Sequence, residues 1–299
     1  MPCGTRPTRT APAMGRHNVA TCRKATATAL PPLMRGSVRR LQRICLWPTT
    51  VLLPALPRPG LPLAMAIHPP MLLLAIPVGA AEAVSFPDTD LEAAVRDVLD
   101  KPRGDITTDD MAGLGALDAE DKGISDLSGL EHAVNLRGLD LDSNEISDLG
   151  PLAGLTDLQD LDLDSNEISD LSPLVNLTDL RNLELDSNEI SDIGPLAGLK
   201  NLRTLDLDSN KISDIGPLAN LTNLRDLDRD SNKVSDLGPL AGLKNLKKID
   251  LDSNEIRDIG PLVRSELGTG ATVELRHNLL DLTPGSAAMK DIEALEKRG

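Results

Sequence analysis

A capped α/β solenoid, with one parallel β-sheet on its concave side and short helical turns behind it, is predicted by three observations. Leu114, Leu136, Leu158, Leu180, Leu202, Leu224 and Leu246 start segments spaced 22 residues apart, a period in the range of stacked supersecondary units. Within each segment apolar residues stand at positions one, four and six and again at eleven, fourteen, seventeen and twenty, the pattern of a short strand followed by a return wall. Position nine is asparagine in Asn144, Asn166, Asn188, Asn210, Asn232 and Asn254.

The unit Leu158 to Asp179 shows what each position does. Leu158, Leu161 and Leu163 point inward along the strand, and Ile168, Leu171, Leu174 and Leu177 fill the core from the opposite wall. The inward asparagine amide can bond the backbone of a turn that lacks ladder partners, so it is structural rather than catalytic. Pro151, Pro195, Pro217, Pro239 and Pro261 fall at the first position of a helical turn, where a missing N–H costs little. A 22-residue unit leaves room for one such turn, read as 3₁₀. One residue breaks the core: Arg229 occupies position six, where the other full repeats have leucine. Burying it unpaired is costly, so the strand is expected to distort and let it snorkel, or inward carbonyls to pair with it.

Both ends depart from the repeat as caps should. The segment 84–113 reads as an N-terminal cap, with an amphipathic helix over 87–99 whose apolar stripe is Leu91, Val95, Val98 and Leu99. Seven repeats follow over 114–269, the first degenerate, with Ala119 at position six and Lys122 in place of asparagine. In 270–299 a two-residue insertion delays the last strand to Val273 and Leu275, and Ser286 to Arg298 reads as a closing helix with Met289, Ile292 and Leu295 inward.

Charge divides the chain in two. Ten of its 31 Lys and Arg but one of its 46 acids lie before Val84, which leaves 21 and 45, a net −24, after Ala83. The basic, Pro- and Leu-rich segment 1–83 reads as a leader, with an apolar run from Met71 and an AxA site at Ala81-Glu82-Ala83 for cleavage after Ala83. The rival reading is an uncleaved membrane anchor, against which Pro62, Pro69, Pro70 and Pro77 speak. Met14, Met34 and Met65 offer later starts. Cys3, Cys22 and Cys45 all lie in this leader, so the chain after Ala83 carries no thiol chemistry.

The repeats from about Leu114 to Asn278, with their NxIxDLxPLxxL core, resemble the internalin-type leucine-rich repeats of bacterial surface and secreted proteins. The lead-in Leu91-Glu92-Ala93-Ala94-Val95 and the segment Gly104-Asp105-Ile106-Thr107 resemble the cap found with such repeats. The resemblance implies a curved leucine-rich-repeat array that recognises a protein through its concave face, exported to the envelope or beyond, with the partner differing from member to member.

Strand side chains alternate, so positions three, five and seven face outward on the concave side. Position five is Asp140, Asp162, Glu184, Asp206, Asp228 and Asp250, and position seven is Asp142, Asp164, Asp186, Asp208, Asp230 and Asp252. All are acidic. Neighbouring strands lie about 4.8 Å apart, so adjacent carboxylates repel by roughly 0.9 kcal/mol even in water. Three readings stand side by side: a solvated face from duplication of one Asp-rich unit, a basic protein or peptide partner, and divalent cations, calcium foremost, held by carboxylate oxygens between strands. Variation concentrates at position three and at position ten, where Lys211 and Lys233 interrupt a run of glutamates and mark the one specialised patch. Position two is basic in Arg137, Arg181, Arg203, Arg225 and Lys247, which reads as offsetting the neighbouring acids rather than holding phosphate.

Enzyme chemistry lacks its players after Ala83. His132 and His277 are the histidines there, both read as surface residues, and no Gly-rich phosphate loop or HExxH motif is present. The acids recur in every repeat, which argues for a surface rather than one tuned site. Nucleic acid is excluded as a partner of a face that would repel phosphates. The expected protein is an exported, monomeric, non-enzymatic module that needs no cofactor and binds a protein or peptide.

Overall fold

The computed structural model describes residues 81–265, 267–268 and 270–298. The leader read over 1–83, its anchor alternative and the later starts lie outside these residues, except for 81–83. Those last residues are paired: the Glu82 carbonyl accepts from Thr108 N at 2.9 Å and Val84 N donates to the Ile106 carbonyl at 2.8 Å.

Eight strands form one parallel sheet in strict chain order: β1 Ala116–Asp118, β2 Gly138–Asp140, β3 Asp160–Asp162, β4 Asn182–Glu184, β5 Thr204–Asp206, β6 Asp226–Asp228, β7 Lys248–Asp250 and β8 Thr272–Glu274. Each covers positions three to five of its repeat. Residues one repeat apart pair directly, Leu161 with Leu183 and Leu183 with Leu205, so the register is the repeat itself. The insertion appears where it was expected, as Ile249 pairs with Val273.

The leucine and isoleucine columns form one continuous core from Leu91 to Leu262. Five-residue 3₁₀ turns at Ser172–Asn176, Gly194–Gly198, Gly216–Asn220 and Gly238–Gly242 build the return wall, each with proline in its first two positions. The last repeat differs, because its Pro261 turn, helix α3, Gly260–Arg264, is a single turn of α-helix. That wider turn precedes the inserted residues.

The asparagine ladder links neighbouring repeats. Asn166 Oδ1 accepts from Ile146 N at 2.9 Å, while its Nδ2 donates to the carbonyls of Leu141, Leu163 and Asp164 at 2.9 to 3.1 Å. At position eight the backbone turns left-handed, with φ of 53° at Ser165 and 58° at His277, and this aims the following asparagine inward. His277 is exposed and His132 half-buried.

Helix α1, Thr89–Val98, closes one end and buries Leu91, Ala94 and Val95. Asp88 caps it at Asp90 N and Leu91 N, and its other oxygen accepts from Ser125 N at 2.9 Å, so one carboxylate ties the helix to the first repeat. Val98, expected in the buried stripe, is instead 49% exposed. It stands at the last helical position and lines the strand face beside β1. A short helix α2 spans Thr108–Ala112. At the other end helix α4, Ala287–Glu296, buries Ala288 and packs half-buried Ile292 and Leu295 against the core, whereas Met289 is half-buried outside it.

Arg229 contradicts both sequence expectations. Its strand is regular, with Arg229 N bonded to the Asp250 carbonyl at 3.0 Å and its own carbonyl accepting from Asn254 Nδ2 at 2.8 Å. The side chain does not snorkel: it is 0% exposed, and Nε, Nη1 and Nη2 have no hydrogen-bond partner. The position-six carbonyls of Leu207 and Arg229 accept from the amides of Asn232 and Asn254 instead.

Candidate functional site on the strand face

The pleat puts positions five and seven outward, but the acids there are not freely solvated. Asp140, Asp142, Asp162, Asp164, Glu184, Asp186, Asp206, Asp208, Asp228, Asp230 and Asp250 are half-buried, and Asp252 is buried. Many are tied to backbone. The position-seven N–H of Asp142, Asp164, Asp208 and Asp252 donates to the position-five carboxylate of its own repeat at 3.0 to 3.2 Å. In the repeats of Asp186 and Asp230 it donates instead to Asp164 and Asp208 of the preceding repeat, at 2.6 and 2.5 Å. These carboxylates therefore take up N–H groups that the sheet leaves unpaired, a task that column reading alone could not assign.

Two triads result, Asp162 with Asp164 and Glu184, and Asp206 with Asp208 and Asp228, each with carboxylate oxygens within 4.8 Å of one another. Burial, then the charge of Asp162, pushes Asp164 up to about 7. Burial pushes Asp206 up to about 6. Burial, then a hydrogen bond with the Asp228 carboxyl, pushes Asp208 up to about 8. Asp228 Oδ1 is buried without a donor among the other groups, and a proton held on Asp208 supplies one.

Cations relieve only one end of the columns. Lys248 Nζ pairs with Asp228 at 2.7 Å, Arg276 Nε pairs with Asp252 at 2.7 Å, and Arg276 also bonds Glu274. From Asp140 to Glu184 none of these acids has an ion-pair partner among the described residues, and there Asp140, Asp162 and Glu184 border a cleft of about 560 Å³ that runs along β1 to β4 and is flanked by Val98. Ala116 and Gly138 at position three open it. Lys211 and Lys233, at position ten, are exposed and do not line this cleft, and Lys211 pairs with Glu189 at 3.3 Å. Nor do the position-two cations offset the acids. None of Arg137, Arg181, Arg203, Arg225 and Lys247 forms an ion pair with a described residue.

The raised carboxyls set a pH dependence. A group whose pKa is higher folded than unfolded, here 6 to 8 against about 3.9, binds more protons in the native state. Its stabilising contribution is full below the unfolded value and is lost as pH rises through the folded one. The protein is expected to unfold at lower denaturant concentration at pH 8 than at pH 5. Asp164→Asn with Asp208→Asn should flatten the difference and gain about 1 kcal/mol per site at pH 8, allowing for solvent screening. Equal stability of the unmodified chain at the two pH values would refute the assignment.

The architecture has known counterparts. A family model described as leucine-rich repeats in two copies matches residues 134–176, 156–198, 178–220 and 200–228. The crystal structure of internalin InlF from Listeria monocytogenes is similar over 73% of this chain, with a TM-score of 0.66 and 32% identity. This chain covers 63% of that structure, just under two thirds. Internalin C2 from the same organism is similar over 68% of this chain and 90% of its own, with a TM-score of 0.63 and 38% identity. No curated protein matches.

Proposed function

The chain belongs to the internalin-type leucine-rich-repeat proteins, and from that premise we propose that it is an exported, non-enzymatic, monomeric module whose strand face takes a basic segment of a partner protein. The observation that carries this reading is the coincidence of the uncompensated acids, Asp140 to Glu184, with the apolar cleft beside Val98. A lysine or arginine has the matching chemistry: an aliphatic stem for the side of the cleft formed by Val98 and Ala116 and a charged head for the carboxylate rim. The field of the acid columns steers such a segment toward the face. Among the described residues no helix is long and apolar enough to cross a membrane.

The test is fluorescence anisotropy with a Lys/Leu-alternating peptide. The triple variant Asp162→Asn, Asp164→Asn, Glu184→Gln is expected to bind at least tenfold more weakly, and Asp250→Asn, beside the compensated end, within about twofold of the unmodified chain. Equal affinity for all three proteins removes the acidic face from the function. A second reading, a divalent cation between repeats, is favoured by the two triads. In it calcium chloride raises the melting temperature beyond sodium chloride of equal ionic strength, because site binding adds to screening; identical melting in the two salts eliminates it.

A further inference from the structure

The position-two cations form a second surface of opposite sign. Their backbones are locked rung to rung: Arg203 N donates to the Arg181 carbonyl at 2.7 Å and Arg225 N to the Arg203 carbonyl at 2.8 Å. The three guanidiniums line a cleft of about 270 Å³ together with Asn201, Asn223 and Asn245. These asparagines stand at position twenty-two and form a ladder of their own, with Nδ2 donating to the carbonyls of Thr178, Lys200 and Thr222 at 2.9, 2.8 and 2.7 Å. Each amide nitrogen carries a second hydrogen that these bonds do not use.

The asparagine column matters because the same position is Asp157 and Asp179 in the two repeats just before it. Carboxylates give way to amides where the column runs alongside Arg203 and Arg225, so the groups best placed to neutralise them are missing. Asp179 is the one acid in the cleft, and no hydrogen bond or ion pair from the three guanidiniums to a described residue offsets their charge. In a chain of net charge −15, uncompensated arginines side by side are a concentrated exception. Rungs about 4.8 Å apart let two planar forks grip one tetrahedral anion from adjacent repeats, each through paired N–H donors.

We propose that this cleft binds a sulfate or phosphate group, free or carried as an ester on an oligosaccharide. The site is separate from the acidic strand face and does not depend on what that face binds.

Isothermal titration of the full chain with sodium sulfate, sodium phosphate and a sulfated dextran oligosaccharide, at constant ionic strength, tests it. Saturable binding of at least one probe is expected, weakened at least tenfold by Arg203→Gln with Arg225→Gln. Lys290→Gln with Lys297→Gln, an equal charge change on α4 and its C-cap, is expected to leave affinity within about twofold. Binding of the inorganic anions assigns a free oxyanion; binding of the oligosaccharide alone, still dependent on the arginines, assigns the ester. No saturable binding of any probe, or equal weakening in the two double variants, overturns the proposal, and thermal melting of each variant excludes misfolding as the cause.

Discussion

Replacing Arg229 by leucine is expected to stabilise the repeat domain by about 1 to 4 kcal/mol, the range found when buried ionic groups give way to well-packed apolar ones. The present state is unfavourable on two counts. The guanidinium is fully buried with all three nitrogens unpartnered, and burial pulls its pKa down to about 9, still high enough to keep the charge at neutral pH. Its neighbours along the column, Leu207 and Leu251, are themselves fully buried, so leucine restores the pattern of the adjoining repeats. A solenoid tolerates such a defect because each unit contacts only its neighbours and stability is nearly a sum over repeats. Denaturant midpoints of the unmodified chain, Arg229→Leu and Arg229→Met decide the matter. Methionine keeps a long stem without charge, so equal gains from both variants identify the charge as the cause. A lower midpoint for leucine would mean that Arg229 is satisfied by a partner in solution.

What could be read before the structure, and what could not, follows from the range of the forces involved. The repeat length, the inward columns, the asparagine at position nine and the delayed last strand are consequences of periodicity, which is local along the chain and strong in each of Leu139, Leu161 and Leu183. The outward direction of the acids followed from the same alternation. Their bonding did not: Asp164 accepts from Asp186 N of the next repeat, where position five is Glu184, whereas Asp162 accepts from Asp164 N of its own, a choice of partner that the alternation of inward and outward residues does not fix. The two ends of the acidic face differ through single residues, Lys248 and Arg276, whose reach across repeats is a matter of three dimensions. Val98 departs from the buried stripe because helical periodicity predicts which residues share a face, not where the helix stops overlying its neighbour. Position twenty-two went unread because Asn201, Asn223 and Asn245 look like ordinary loop residues until their bonds to the preceding repeat are seen.

The inward asparagine is where the sequence pattern and the energetics meet most directly, and Asn210→Ala is expected to cost about 1 to 3 kcal/mol. Asn210 Oδ1 accepts from Ile190 N at 2.9 Å, and Nδ2 donates to the carbonyls of Leu185, Leu207 and Asp208 at 2.9, 3.2 and 2.8 Å. The Leu185 and Leu207 carbonyls keep a second donor, Asn188 Nδ2 at 3.2 Å and Asn232 Nδ2 at 2.8 Å, but buried Ile190 N loses its acceptor, and a buried group left without a hydrogen bond costs about 1 to 3 kcal/mol. Asn223→Ala provides the contrast, since it removes one exposed side-chain bond, to the Lys200 carbonyl, and is expected to cost under about 1 kcal/mol. Because Asn210 joins two repeats, its loss should also loosen their interface locally, so amide exchange at Ile190 is expected to accelerate more than at Ile146, two repeats away, whose acceptor Asn166 is intact. Similar costs for the two alanine variants, with Ile190 still protected, would mean that water enters the turn and replaces the amide, and the ladder would then be a consequence of the fold rather than one of its supports.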